Sequence, residues 1–167
     1  MNQFAEFQGN QSGWIFHSVR FLEINIYKYR ALKGSSYIEL PKFIQNKKGC
    51  LNVKNSDEKC FLYSTILHYN PNITHIERGE SVFRKYIDQY DSTGINYPMT
   101  LNQISKFEKQ NKKTINVYSY EISFDKDTKK QSLSIFPIHL SKNLVTNYKD
   151  CCNLLLIKDG EKSHYVL

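Results

Sequence analysis

Cys151-Cys152-Asn153-Leu154-Leu155-Leu156-Ile157-Lys158-Asp159-Gly160-Glu161-Lys162-Ser163-His164-Tyr165-Val166-Leu167 is the stretch that decides the fold. An apolar run that stops at Asp159-Gly160 and resumes at Ser163 reads as two strands of a hairpin, because Asp-Gly supplies the left-handed backbone a tight hairpin turn needs. Two more strand-like runs precede it, at residues 114–122 and 132–140, so the C-terminal half is predicted to be a sheet. Upstream the period changes. Residues 59–69 are apolar on two sides (Phe61, Leu62, Ile66, Leu67), which predicts a largely buried helix stopped by Asn70-Pro71. Residues 80–90, with Val82, Phe83, Tyr86, Ile87 and Tyr90, and residues 101–109, with Leu101, Ile104 and Phe107, have the three-and-four spacing of amphipathic helices. Helices first and a mostly antiparallel sheet later describe an α+β domain with the helices packed on one face of the sheet.

Toward the N-terminus the signals are weaker. Residues 1–13 are polar, with Gly9, Ser12 and Gly13, and are expected to form a mobile lead to a single domain at residues 14–167. Within residues 14–29, Leu22, Ile24 and Ile26 alternate with more polar neighbours, as a half-buried strand requires. Lys33-Gly34-Ser35-Ser36 is a turn signal, Tyr37-Ile38-Glu39-Leu40 reads as extended, and Pro41 opens a short helix reaching Asn46. Cys50-Leu51-Asn52-Val53 is predicted as a short strand, followed by the polar turn Lys54-Asn55-Ser56-Asp57-Glu58.

The bulk numbers set bounds. A chain of 167 residues, 40% hydrophobic and 14% aromatic, can bury one sizeable core. Lys plus Arg number 23 against 16 Asp plus Glu, a net +7, which permits binding to nucleic acid or to an acidic protein face. The basic residues are scattered in pairs such as Lys47-Lys48 and Lys112-Lys113, which is equally the pattern of a soluble basic surface. The four cysteines, at positions 50, 60, 151 and 152, form no Cys-x-x-Cys pair, so no metal or other cofactor is expected and reduced thiols are. Met1 to Gly13 lacks a secretory pattern and no apolar stretch approaches membrane-spanning length, so the expected setting is cytoplasmic or nuclear, without a membrane partner.

Cys60 stands where the buried helix begins. Unpaired backbone N–H groups at a helix N-terminus favour a thiolate, and the tight turn before Cys60 would aim amides at the space where an acyl-transfer oxyanion must be held. A thiol nucleophile needs a base, and of five histidines His164 fits best, since it lies on a strand next to a hairpin turn. His68 lies on another side of the same helix, and His17, His75 and His139 sit in less defined settings. A third group would come from the turn: Asp57 and Asn55 are the nearest candidates, with helix capping as the competing role. The competing reading of the pair itself is a small core cysteine and a polar strand histidine.

Asp57-Glu58-Lys59-Cys60-Phe61-Leu62-Tyr63-Ser64-Thr65-Ile66 resembles the nucleophile motif of ovarian-tumour-type (OTU) cysteine proteases, and His164-Tyr165 resembles the His-aromatic pair that closes that papain-like fold. Glu58-Lys59 stands where that motif has Gly-Asn, and Leu167 stands where it has an acidic or amide residue. Longer blocks carry a second resemblance: residues 12–16, 32–41, 52–61, 106–111, 116–118, 153–157 and 160–165 are similar, in order, to a domain preceding a zinc-binding segment and a family-B DNA polymerase in Maverick/Polinton-type mobile-element proteins. In that family the chain continues past the His-Tyr block, which implies a fragment here. The resemblances imply a papain-like (OTU-like) thiol peptidase that removes ubiquitin or a ubiquitin-like modifier, with Cys60, His164 and Asp57 or Asn55 as its site. The alternative they leave open is a non-catalytic DNA- or protein-binding accessory module of a mobile-element polymerase.

Overall fold

The computed structural model describes Ser18 and residues 37–124, 131–143, 145, 147–160 and 162–167. The chain divides into two compact units, Met1–Arg30 and Ala31–Leu167, and apart from Ser18 the described residues belong to the second. The expected lead at residues 1–13, the strand at 14–29, the turn at 33–36 and His17 lie outside the described residues.

The fold of the second unit is α+β. Its elements are α1 (Lys42–Gln45), α2 (Cys60–Tyr69), α3 (Glu80–Ile87), α4 (Leu101–Asn111), β1 (Thr114–Phe124), β2 (Gln131–His139), β3 (Cys151–Asp159) and β4 (Lys162–Val166), with 3-10 turns at Ile76–Arg78 and Tyr148–Asp150. The sheet order is β2-β1-β3-β4. The β1–β2 and β3–β4 pairs are antiparallel, whereas β1 and β3 run parallel, so the sheet is mixed. Asp159-Gly160 does close the β3–β4 hairpin, with Gly160 at φ +58. The β1–β2 register shifts between Val117 and Tyr118, where Tyr118 faces Pro137. Proline has no N–H for the ladder, and β2 is an edge strand, where that loss is tolerated.

Alternation along β3 and β4 sends side chains to two cores. Cys152, Leu154, Leu156 and Tyr165 join Phe61, Leu62, Ile66, Phe83, Ile104 and Phe107 in the larger one, between the sheet and helices α2–α4. Phe61 is its hub, edge-on to Phe107 at 5.2 Å and to Tyr165 at 5.3 Å. The opposite face carries a smaller core of Ile38, Ile44, Ile157 and Val166, covered by α1 and the strand-like segment before it. Glu108 links the layers: its Oε1 accepts the Ile115 N–H at 2.8 Å and its Oε2 lies 3.4 Å from His139 Nε2.

Two boundaries differ from the sequence reading. Residues 50–53 form no ladder strand; Leu51 alone exchanges backbone hydrogen bonds with Leu167, along the outer edge of β4. Helix α3 ends at Ile87 rather than residue 90, and Tyr90 still reaches the core from the turn that follows.

Candidate functional site

The polar turn before α2 is built around Asp57. Its Oδ1 accepts the Lys59 N–H at 3.0 Å and its Oδ2 accepts the Tyr63 hydroxyl at 2.7 Å, so the carboxylate fixes the first turn of the helix from outside. Asn55, buried, donates its amide to the Asp57 carbonyl and carboxylate. Ser56 gives both its N–H and its hydroxyl to Glu80 Oε1, each at 2.6 Å, which moors the turn to α3. Gly79 permits the mooring: at φ +66 and ψ −141 it adopts a backbone that L side chains avoid, and a Cβ there would stand 2.6 Å from the Lys54 carbonyl oxygen. Asp57 and Asn55 are thus bonded to each other and to the helix they precede.

Cys60 exposes no surface. Helix α2 runs along the free edge of β4, so that the Ser64 hydroxyl donates to the Tyr165 carbonyl at 3.0 Å while the Cys60 sulfur meets the Tyr165 N–H. The nitrogen of that N–H is bonded to the carbonyl carbon of His164. The two residues are thus linked through the Tyr165 backbone: Cys60 packs in the larger core, while the side chain of His164 is directed to the smaller one. Burial is the largest influence on the thiol and pushes it from its ordinary 9.0 up to about 11; the N–H groups of Tyr165, Phe61 and Cys60 itself pull the other way, and the Asp57 carboxylate adds a smaller upward push.

His164 is also fully buried. It pairs with Ile157 across the ladder and so faces the smaller core, where the ring of Tyr37 meets it edge-on with centroids 5.9 Å apart. Its Nε2 lies 2.9 Å from Asn52 Oδ1. Asn52 is held in turn, since its Nδ2 donates to the Ile38 carbonyl at 2.9 Å. A backbone carbonyl only accepts, so that bond fixes which end of the amide is nitrogen and leaves the oxygen toward the imidazole. An amide oxygen also only accepts, so Nε2 carries the proton and a neutral His164 has its basic lone pair on Nδ1.

The sequence reading names Cys60 and His164 but not Asn52, the residue bonded to the imidazole. Asn52 lies eight positions before Cys60 in an extended segment, and the one local signal is an Asn set between Leu51 and the fully buried Val53. The other described histidines are engaged elsewhere: His68 Nε2 with the Lys149 carbonyl at 2.9 Å, His75 with Glu77 at 3.1 Å, and His139 with Glu108. Among the described residues no group of three or more His, Cys, Asp or Glu is placed to hold a metal ion, and no helix is long and apolar enough to cross a membrane. No protein-family model, curated protein or solved structure matches the chain.

Proposed function

We propose that Cys60, His164 and Asn52 form a thiol–imidazole–amide triad of a papain-like (OTU-like) cysteine peptidase, acting on ubiquitin or a ubiquitin-like modifier. The observation that carries the reading is the Asn52 Oδ1 to His164 Nε2 bond at 2.9 Å, on a histidine whose neighbouring amide meets the Cys60 sulfur. An amide that orients a general base from behind is the triad's arrangement, and the reading requires the imidazole to turn toward the sulfur past the Tyr165 amide.

The chemistry follows from the tautomer. His164 Nδ1 takes the proton from Cys60 as the sulfur attacks the scissile carbonyl, and the C–S bond forms as the carbonyl π electrons move to oxygen. Backbone N–H groups at the start of α2 hold that oxyanion. The tetrahedral intermediate collapses, the C–N bond breaks, and the imidazolium gives its proton to the leaving amine. Water, deprotonated by the same imidazole, then attacks the thioester; the C–S bond breaks, the acid is released, and the imidazolium returns its proton to the Cys60 sulfur. Asn52 keeps the ring oriented throughout, and Asp57 shapes the turn that presents the amides. The modifier as substrate is supported by the resemblance of residues 57–66 and 164–165 to OTU-type sequences, and a mobile-element origin by the ordered blocks noted above.

The test is a ubiquitin bearing a C-terminal electrophile. A covalent adduct is expected that maps to Cys60 and disappears in Cys60→Ala and His164→Ala. A folded protein that forms no adduct with ubiquitin or ubiquitin-like probes would sink the peptidase reading in favour of a non-catalytic module.

A further inference from the structure

Four cations surround a groove that begins beside the site. One end is a depression of about 510 Å3 whose wall includes Tyr37, Lys54 and Asn55, and it shares Arg78, Ser81 and Arg84 with an adjoining cavity of about 400 Å3 that Lys85 also lines. Lys54, Arg78, Arg84 and Lys85 are exposed. Among the described residues the ion pairs are His75–Glu77 and His139–Glu108, so none of the four cations is in direct ion-pair contact there; Arg84 and Arg78 act on Glu80 and Glu77 only through longer-range attraction. The two carboxylates on the groove wall are already occupied, Glu80 by Ser56 and Glu77 by His75. The groove also connects to the chemistry: Lys54 Nζ lies 5.8 Å over the Tyr37 ring, and that ring lies against His164.

We infer that this groove docks an acidic stretch of the protein substrate, seating Asp or Glu side chains on Arg78, Arg84 and Lys85 while the chain crosses Tyr37 toward His164. The inference rests on the peptidase reading for the word substrate, and on the groove alone for the chemistry of the occupant. Exposed guanidinium groups outside any direct ion pair recognise carboxylates through paired N–H donors. Glu77 and Glu80 share the wall of the depression with Lys54, Arg78 and Arg84, which disfavours a continuous phosphate backbone, whereas a peptide carries its charges at intervals and can place them away from these carboxylates. Each cavity has the size of one or two side chains rather than of a nucleic-acid track.

The experiment uses the full chain and fluorescence anisotropy with three labelled probes: a peptide of alternating Glu and Gly, the same peptide with Gln for Glu, and a single-stranded oligonucleotide of equal charge. The Glu peptide binds in a salt-sensitive manner, the Gln peptide does so much more weakly, and the double variant Arg84→Gln/Lys85→Gln weakens the Glu peptide about tenfold, the loss expected for two surface charge pairs. Its melting temperature and its Cys60 labelling by a small thiol electrophile stay at the wild-type level, which keeps a folding defect from mimicking the result. Equal binding of the Gln peptide, indifference to the double variant, absence of saturable Glu-peptide binding, or tighter binding of the oligonucleotide through the same residues each overturns the inference. Cys60→Ser retains peptide binding. Missing thiol chemistry with binding intact would therefore fail the peptidase reading and leave the groove standing.

Discussion

Replacing Asn52 with Ala tests the site at the point the structure adds to the sequence. The side chain makes two hydrogen bonds of 2.9 Å, one from Nδ2 to the Ile38 carbonyl and one between Oδ1 and His164 Nε2. Both partners belong to buried residues. Each net hydrogen bond contributes about 1 kcal/mol, and each group stripped of that partner in a dry setting costs roughly 1 to 3 kcal/mol, so the substitution should destabilise by about 3 kcal/mol. For a chain of this size that lowers the melting temperature by roughly 6 to 12 °C. The ring also loses the bond behind it, and misorientation of a general base is worth about a hundredfold in rate. Calorimetry and the rate of adduct formation with an electrophilic ubiquitin probe, taken well below the variant's melting temperature, measure the two effects separately. Asn52→Asp adds a discriminating arm: it keeps an acceptor for Nε2 but sets an oxygen against the Ile38 carbonyl, so it should lose stability like Asn52→Ala yet label faster. An Asn52→Ala protein that melts lower but labels at the wild-type rate would refute the orienting role, and one that melts unchanged would refute the bonds themselves.

Gly79→Ala should lower stability by roughly 2 to 4 kcal/mol in chemical denaturation, because the new methyl meets the Lys54 carbonyl oxygen at 2.6 Å and the backbone leaves its preferred region; the same variant should slow Cys60 labelling, since the turn before α2 is moored there. Glu108 is held below its ordinary range: burial pushes its carboxyl up, but hydrogen bonds from His139, Ser141 and the Ile115 amide together outweigh it. Its folded value therefore lies below the unfolded one, so its contribution is present above the unfolded pKa and is lost as pH falls, and Glu108→Gln should flatten the acid limb of the stability profile. Cys60 works in the opposite sense: raised from 9.0 to about 11, it stabilises the fold fully below pH 9, and about 3 kcal/mol is lost as pH climbs through 11, visible as the difference between wild-type and Cys60→Ser urea midpoints.

What could be read in the sequence follows from the range of each signal. Helix α2, the β3–β4 hairpin and the burial of Phe61 and Phe107 are local: a polar turn before an apolar run, Asp-Gly between apolar runs, and periodicity specify them within a dozen residues. The parallel pairing of β1 with β3 is not local, because periodicity marks a strand's faces and leaves its partner open. Asn52 shows the same limit more sharply. It reaches His164 across 112 positions, and nothing in Leu51-Asn52-Val53 announces that the segment lies along β4 through a single pair of backbone bonds between Leu51 and Leu167. Asp57 and Asn55 drew attention through their proximity to Cys60, and proximity in sequence is what binds them to the α2 turn.

The burial of the site bears on how it would work. A thiol at about 11 is ionised in roughly one molecule in ten thousand at pH 7, so Cys60 does not rest as a free thiolate in this conformation. Two routes lead to a reactive sulfur. Transfer of the proton to His164 replaces an isolated buried charge with an ion pair, which the Asn52 oxygen favours because it accepts from the imidazolium N–H. Displacement of Tyr37 admits water and substrate to the imidazole from the side of the cationic groove. The routes separate in the pH dependence of Cys60 alkylation. Proton transfer within the pair gives a rate that stays nearly level from pH 7 to 9 and collapses in His164→Ala, whereas opening alone gives a rate that climbs about tenfold per pH unit and rises in Tyr37→Ala. A steep profile in the wild type that Tyr37→Ala leaves untouched fits neither route and would return Cys60 to the role of a core thiol.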